Sequence, residues 1–267
     1  MMKTLCAEVI EFLETIAPLE LQESYDNSGL LIGHTEQVVK GIMVCLDCTE
    51  AVLDEALAKG CNMIVSHHPA IFYGVKKITG SNMTERIIEK AIKNDLILYS
   101  IHTNLDNTLT NGVNEQIARK LGLEIDGVLR GMAGTPNPMV GAGLVGYFPE
   151  PLSEIKFLQR IKERMQSPVI RHTGFTNKPI QKVAICGGSG SFLLEDAKKA
   201  GAQALVTADF KYHQFFEADG DIMICDIGHY ESEHLTINLL QSLLSGNFPT
   251  FAAHCTGIVT NPVQYFT

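Results

Sequence analysis

An internal repeat constrains the fold of this 267-residue chain more than any other feature of its sequence. Residues 42–66 (IMVCLDCTEAVLDEALAKGCNMIVS) align without a gap with residues 183–207 (VAICGGSGSFLLEDAKKAGAQALVT). Each copy has an apolar strand, a short turn, a helix that ends at a glycine (Gly60 or Gly201), and a second apolar strand. A glycine just past a helix suits a left-handed C-cap. Strand, helix and strand within about 25 residues predict a right-handed crossover between parallel strands.

Both copies continue with a further helix and strand. In the first copy the helix is MTERIIEKAIKNDL and the strand is ILYSIH. In the second copy a helix near FKYHQFFEAD precedes the strand DIMICDIGH. The pattern predicts an α/β fold of two related, interleaved lobes, each with a mostly parallel or mixed sheet. The first lobe would comprise residues 1–129 plus 240–267 and the second residues 130–239, with the Gly- and Pro-rich segment 130–139 connecting them. The final stretch, IVTNPVQYF, is expected to return to the first lobe as a strand or cover.

Composition and charge narrow the class of protein. Hydrophobic residues make up 45% and charged residues 19% of the chain, as in a well-packed globular protein. No apolar run reaches the roughly 18 residues that a membrane-spanning helix needs. Acidic residues at positions 8, 11 and 14 interrupt the apolar stretch that a signal peptide would need. The apolar residues of this segment recur at helical spacing, so an amphipathic first helix is expected. The net charge of −9 argues against duplex nucleic acid as a main partner, but a metal ion could still attract a polyphosphate.

The seven cysteines lie mostly within apolar runs, which favours buried thiols in a cytoplasmic protein over a disulfide framework. Cys45 and Cys48 form a CxxC, which is compatible with redox chemistry or half of a zinc site. A second such pair is missing from the sequence, and Cys45 lies within a predicted strand. Buried structural thiols are therefore the favoured interpretation.

Three predicted strands end at residues that commonly bind metals. In open α/β sheets, ligands bind beyond the carboxyl ends of the strands. The strand NMIVS is followed by His67 and His68. The strand ILYSI is followed by His102, with Asp106 four residues after it, and the strand MICDI is followed by His229, with Glu233 four residues after it. Four residues is about one helical turn, so each histidine and its acid should lie on the same side.

Imidazole and carboxylate together suit zinc, manganese, iron or nickel. Successive side chains diverge as they leave a strand, so His67 and His68 should reach different ions. With two carboxylates able to bridge, the pattern predicts two divalent ions about 3.5–4 Å apart between the lobes. Such a pair would generate hydroxide from water near neutral pH and orient an oxygen-rich substrate. The alternative is a set of unrelated surface histidines.

Four ordered motifs also carry a family resemblance over nearly the whole chain: Tyr25-Asp26-Asn27-Ser28-Gly29-Leu30, Ser66-His67-His68-Pro69, His102-Thr103-Asn104-Leu105-Asp106 and Gly228-His229-Tyr230-Glu231-Ser232-Glu233. The chain resembles the GTP cyclohydrolase I type 2 homologues, the NIF-three-like family (domain of unknown function thirty-four). The resemblance implies that the ligands of two metal ions are His67, His68, Asp106, His229 and Glu233. It implies for His102 a place beside the metals, as a ligand or a base.

The resemblance further implies a toroidal homo-oligomer, often a hexamer, and metal-dependent opening of the guanine imidazole ring of GTP. The first functional hypothesis is therefore a metal-dependent hydrolase acting on a nucleotide or phosphorylated compound, with His102 moving a proton. The alternative is a non-catalytic metal-binding oligomer that serves as an adaptor, a regulator or a metal-insertion protein. Five protein ligands for two ions leave positions open for water, which favours the enzyme.

Three weaker signals have two interpretations each. The segment Gly187–Gly190 could cradle a phosphate on backbone amides or form a tight turn. Asp209 and His213 follow the strand that mirrors the one before His67, and could line the site or, for Asp209, begin a helix as its N-cap. Asp26 and Asn27 lie in a glycine-containing turn, where capping is favoured over substrate contact.

Overall fold

The computed structural model describes residues 3–266, and this part of the chain divides into two compact units. The first unit runs to Leu105 and resumes from Thr236 to Gln264. The second unit comprises Asp106–Leu235 and begins again at Tyr265. None of the helices within residues 3–266 has the length and the apolar character of a membrane span.

The elements alternate between helix and strand through most of the chain. Those up to residue 106 are α1 (Cys6–Ile16), β1 (Gly29–Ile32), β2 (Ile42–Cys45), α2 (Glu50–Ala58), β3 (Met63–Ser66), α3 (Met83–Lys93), β4 (Ile97–Ser100) and α4 (Thr103–Asp106). Those that follow are α5 (Val113–Leu121), β5 (Glu124–Gly131), β6 (Gly141–Leu152), α6 (Glu154–Met165), β7 (Arg171–His172), β8 (Ile180–Ser189), α7 (Leu194–Lys199), β9 (Ala204–Ala208), β10 (Met223–Asp226), α8 (His229–Glu233), α9 (Leu235–Asn247) and β11 (Ala253–Cys255).

The first unit is built on a five-stranded sheet with the order β1-β4-β3-β2-β11. Only β1 is antiparallel to its neighbour; the other pairings are parallel. Strands β2, β3 and β4 are buried along their whole length, as expected for parallel strands covered on both faces. One core cluster joins the strands to helices α2 and α3. It contains Met43, Ile64 and Leu98 of the strands, Val52, Leu53 and Ala56 of α2, and Ile87 of α3. Helices α2 and α3 therefore pack against this sheet.

The second unit contains a six-stranded sheet with the order β5-β6-β8-β9-β10-β7. Its centre, β8-β9-β10, is parallel, and the outer pairings are antiparallel. Val183 pairs with Ala204 in this sheet just as Ile42 pairs with Met63 in the first. The repeated residues thus occupy matching registers, which confirms the predicted α/β fold of two related halves with mixed sheets.

The two copies diverge after their second strand. The first copy forms the eleven-residue helix α3, whereas the second forms a seven-residue 3-10 helix, Tyr212–Ala218, where the sequence predicted a helix. Ile97 of β4 pairs with Met63, and Met223 of β10 pairs with Ala204. His102 comes five residues after Ile97, whereas His229 comes six residues after Met223. The two histidine–acid units are therefore one residue out of step, although the sequence pattern placed them at the same point in the topology.

Residues 106–129 have their partners in the second unit. Strand β5 pairs with β6, and the Gly141 amide donates to the Asn107 carbonyl at 2.9 Å. The two units of the structure thus divide between residues 105 and 106 and between residues 235 and 236. The sequence pattern placed these divisions between residues 129 and 130 and between residues 239 and 240. Near the C-terminus, β11 adds in parallel to β2, and Thr260 Oγ1 donates to Asp47 Oδ2 at 2.6 Å. Residues 258–266 continue without regular secondary structure.

Candidate metal centre

Three imidazoles converge in the first unit at the carboxyl ends of β3 and β4. We call His67, His68 and His102 the histidine cluster. Each offers a ring nitrogen within 4.8 Å of the others, and the ring centroids are 5.0–5.2 Å apart. His67 is fully buried, and His68 and His102 are partly buried. The carboxyl ends of these two neighbouring parallel strands thus bring the three imidazoles together.

Each of these imidazoles is oriented by an oxygen that holds its Nδ1. His67 Nδ1 lies 2.8 Å from the Ile101 carbonyl, which can only accept, so Nδ1 carries the proton and Nε2 the lone pair. His68 Nδ1 contacts Asp47 Oδ1 at 2.7 Å, and His102 Nδ1 contacts Asp26 Oδ1 at 2.8 Å. Metal-binding histidines commonly have such partners, because the partner fixes both the tautomer and the ring orientation.

Asp26 is the centre of a part-buried hydrogen-bond network. Its carboxylate accepts from His102 Nδ1, from the Thr103 amide at 3.0 Å and hydroxyl at 2.5 Å, and from Ser28 Oγ at 2.9 Å. Burial alone would raise the pKa of Asp26, but the hydrogen bonds from His102 and Thr103 hold it well below its usual range. The favoured turn-and-cap interpretation of Asp26 is thus incomplete, since the same carboxylate also orients His102.

A second group of donors lies in the second unit. We call Asp106, His229 and Glu233 the carboxylate cluster. Helix α8 places His229 and Glu233 one turn apart, with His229 Nε2 3.0 Å from Glu233 Oε2. Oxygens of Asp106 and Glu233 lie within 4.8 Å of each other. Burial, together with the negative charges of Asp106 and Glu233, raises the pKa of the neighbouring Cys186 thiol. Two carboxylates therefore share one largely buried environment.

Asp209 orients His229 as Asp47 orients His68. Its Oδ2 accepts from His229 Nδ1 at 2.7 Å and from Ser189 Oγ at 2.5 Å. Burial alone would lower the pKa of His229, but hydrogen bonds to Asp209 and Glu233 and their charges raise it to about 11. An ion that binds His229 Nε2 must therefore displace a proton. Asp209 thus contacts the cluster instead of capping the 3-10 helix, whose N-cap residue is Lys211.

The remaining predicted residues have other contacts. The His213 ring packs against Tyr212 and Phe216. The Gly187 amide donates to Asn114 Oδ1 and the Gly188 amide to Ser232 Oγ, both at 2.9 Å. Gly187 and Gly188 lie within β8, and both amides are used within the chain, so these two residues neither form a tight turn nor offer their amides to a phosphate. All seven cysteines, Cys45 and Cys48 included, are free thiols.

Gly188 makes room for Glu233. Its φ is +62°, and a Cβ there would collide with Glu233 Oε1 and lie 3.4 Å from His229 Cε1. We expect Gly188→Ala to displace Glu233 and to weaken metal binding about 10-fold or more. Gly201→Ala is the matched control, because Gly201 also has a positive φ (+72°) but its Cβ would meet nothing within 4 Å. Both variants should lose about 1 kcal/mol of stability, because alanine is strained at a positive φ. Equal metal affinity in the two, measured by competition with a chromogenic chelator, would contradict this role for Gly188.

The donor chemistry of both clusters fits a divalent transition metal. Imidazole nitrogens and carboxylate oxygens suit zinc, manganese, iron and nickel, whereas magnesium prefers oxygen alone. The three imidazoles of the histidine cluster have ring nitrogens within 4.8 Å of one another, and in the carboxylate cluster Glu233 lies close to both His229 and Asp106. The fold and these clusters define the class of the protein. It is a mixed α/β repeat protein with imidazole and carboxylate groups that could hold a metal ion.

Comparison with known proteins identifies the family. The chain belongs to the DUF34/NIF3 (NGG1p interacting factor 3) family, whose model matches residues 4–262, which confirms the resemblance seen in the motifs. A GTP cyclohydrolase 1 type 2 homolog of Clostridium acetobutylicum is 34% identical over 257 residues, covering 95% of this chain and 92% of the relative. A similarly named protein of Clostridium perfringens is 37% identical over 232 residues, covering 85% of this chain and 86% of the relative. The crystal structure of a Staphylococcus aureus hypothetical protein matches with a TM-score of 0.92 and 30% identity, covering 99% of this chain and all of that one.

Proposed function

We propose that the chain is a metal-dependent hydrolase that acts on a nucleotide or a related phosphorylated compound. In this proposal two divalent ions, of zinc, manganese, iron or nickel, are held by His67, His68, Asp106, His229 and Glu233. The observation that carries the proposal is the histidine cluster, in which an oxygen holds every Nδ1 and leaves Nε2 as the donor atom. The assignment of all five ligands to one pair of ions stays a prediction.

Two bound ions would polarise an oxygen-rich substrate and activate water near neutral pH. Within the chain, His102 is proposed to move a proton at Nε2, because Asp26 holds its Nδ1. Its partly exposed ring can reach a bound molecule, whereas His67 is fully buried. The different exposures support a ligand role for His67 and a proton-transfer role for His102.

The names of the relatives make GTP the first substrate to test. Protein purified without chelator and then loaded with zinc or manganese should contain about two ions per chain by elemental analysis. It should also consume GTP, and chelation should stop the reaction until metal is restored. Stoichiometric metal with no turnover of any nucleotide would leave only the metal-binding part of the proposal. Less than one ion per loaded chain would contradict both parts.

Exposed aromatic side chains on the second unit favour a second role, in self-assembly. Tyr212 and Phe216 are mostly exposed and Phe175 is about half exposed, and all three line a cavity of about 750 Å³ together with Arg171 and His172. Exposed apolar patches of this kind often mark protein interfaces. We therefore propose that copies of the chain form a homo-oligomer, with a toroidal hexamer as the first expectation. Light scattering should give a mass several times 29.3 kDa, and a monomer at micromolar concentration would contradict this role.

A non-catalytic metal-binding oligomer, acting as an adaptor, a regulator or a metal-insertion protein, is the alternative outcome of the same measurements. It would show metal-dependent assembly without turnover. A cytoplasmic location is proposed on the basis of the cysteines, since seven free thiols suit a reducing compartment.

A further inference from the structure

A cavity of about 600 Å³ in the first unit opens directly beside the histidine cluster. Its wall includes His68 and Asp47, which contact each other at 2.7 Å. The rest of the wall comes mostly from residues 69–82, which connect β3 to α3 and which we call the cavity loop. A molecule in this cavity would therefore touch the ring of His68.

The cavity loop is fastened at both ends. Near its start, Asn27 Nδ2 donates to the Ile71 carbonyl at 2.6 Å. Near its end, Glu85 Oε2 accepts from the amides and hydroxyls of Thr79 and Ser81 at 2.8–3.0 Å. Asn27 is adjacent to Asp26, which holds His102. The middle of the loop is thus held beside the cluster, while its side chains face solvent.

The loop offers aromatic rings to a planar group. The Phe72 ring packs edge-on against Tyr73, with centroids 4.9 Å apart, and against His102, with centroids 6.2 Å apart. Tyr73 is 81% exposed. An exposed ring supported from one side by a packed neighbour is suited to stacking on a base.

The loop also offers two positive charges. Lys76 and Lys77 line the cavity, and neither forms an ion pair within residues 3–266. Two carboxylates, Asp47 and Glu85, line the same cavity. Asp47 is held by His68 and Thr260, and Glu85 by its four hydrogen bonds to the loop. Since hydrogen bonds within the chain already hold both carboxylates, the two lysines are the charged groups of the wall that can contact an anion.

We infer that the cavity beside His68 is the substrate site for a phosphorylated nucleoside, whose phosphates contact Lys76 and Lys77 while its base stacks on Tyr73. This inference rests on the proposed function and names the substrate class of that site. Phosphate recognised by lysine and a base recognised by an aromatic ring are separable contributions, so each can be removed alone.

The test is rapid ultrafiltration of GTP, guanosine or inorganic triphosphate mixed with the metal-loaded full chain, with chromatography of the filtrate to show that the GTP is still intact. Wild type should bind GTP more tightly than either fragment. The double variant Lys76→Ala/Lys77→Ala should bind GTP and triphosphate about 10-fold or more weakly, with guanosine unchanged. Tyr73→Ala should bind GTP and guanosine about fivefold or more weakly, with triphosphate unchanged.

The matched control is Lys40→Ala/Lys178→Ala, which makes the same change in net charge at two exposed lysines outside the cavity wall. It should bind all three compounds as wild type does. Equal loss in the two double variants would show a general charge effect and overturn the inference. Wild-type GTP affinity in Lys76→Ala/Lys77→Ala would also overturn it.

Metal content is measured on every variant, which separates this inference from the proposed function. Stoichiometric metal with GTP binding indifferent to the lysines would defeat the cavity assignment alone. GTP binding that depends on the lysines in a chain that holds no metal would support the cavity and defeat the metal centre.

Discussion

Replacing His67 with alanine should abolish metal-dependent turnover and reduce bound metal by at least one ion per chain. The imidazole is fully buried, and the Ile101 carbonyl fixes its tautomer, so it is a preorganised donor. Loss of a supporting group around a metal typically costs about 10- to 100-fold in affinity, so loss of the ligand itself should cost at least about 100-fold. Elemental analysis after dialysis, together with the rate of GTP consumption, measures both effects.

Alanine variants of two other histidines, His102 and His34, are compared with His67→Ala. His102→Ala should keep the metal but slow turnover by about 10²–10⁴-fold, the range for a lost general acid or base. His34→Ala should change neither, because His34 is exposed and lies outside the cluster. Thermal unfolding of all three variants shows whether the fold survives. A folded His67→Ala protein with wild-type metal content and rate would refute the ligand assignment, and metal loss in His102→Ala would make His102 a ligand.

Much of the fold follows from the sequence because the repeat carries its own register. Apolar strands and glycine-ended helices recur at one spacing, and in both sheets the residues at equivalent positions form the parallel pairs. Strands buried on both faces give continuous apolar runs, which are easily recognised. The grouping of His67, His68 and His102 could be predicted for the same reason, since parallel strands end at one edge of the sheet.

The contacts that orient these histidine side chains could not be predicted from the sequence. Asp26 lies 76 residues before His102, and nothing in its turn motif indicates that it accepts from the ring. Asp47 had a usable signal, because it follows β2 at the same sheet edge as His68, but an acid after a strand is too common to single out. The one-residue offset between His102 and His229 was also hidden, because it depends on the pairings of β4 and β10.

The division between the units illustrates a different difficulty. Composition changes most sharply at 130–139, where glycine and proline are frequent. The division instead follows pairing: β5 adds to β6, so the chain from 106 onwards belongs with the second sheet. Strand pairing between segments distant in sequence leaves little trace in local composition, whereas turns leave a strong one.

Asp26→Ala should destabilise the folded chain by about 3–5 kcal/mol. The substitution leaves the ring N–H of His102, the amide and hydroxyl of Thr103 and the hydroxyl of Ser28 without their common acceptor. The Asp26 side chain is fully buried, so water cannot replace the carboxylate without local rearrangement. Denaturant unfolding at neutral pH measures the loss.

Asp47→Ala is the matched control, since Asp47 also holds a cluster histidine but its side chain is 36% exposed. Water can hydrate the groups that it leaves, so its stability cost should be less than about 1 kcal/mol, while metal affinity should fall about 10-fold. Asp26→Asn separates stability from positioning. It retains an acceptor oxygen and the size of the side chain and should recover part of the lost stability. Its turnover should stay low, because a neutral amide no longer stabilises charge that develops on His102. Wild-type turnover in Asp26→Asn would show that Asp26 serves the fold alone.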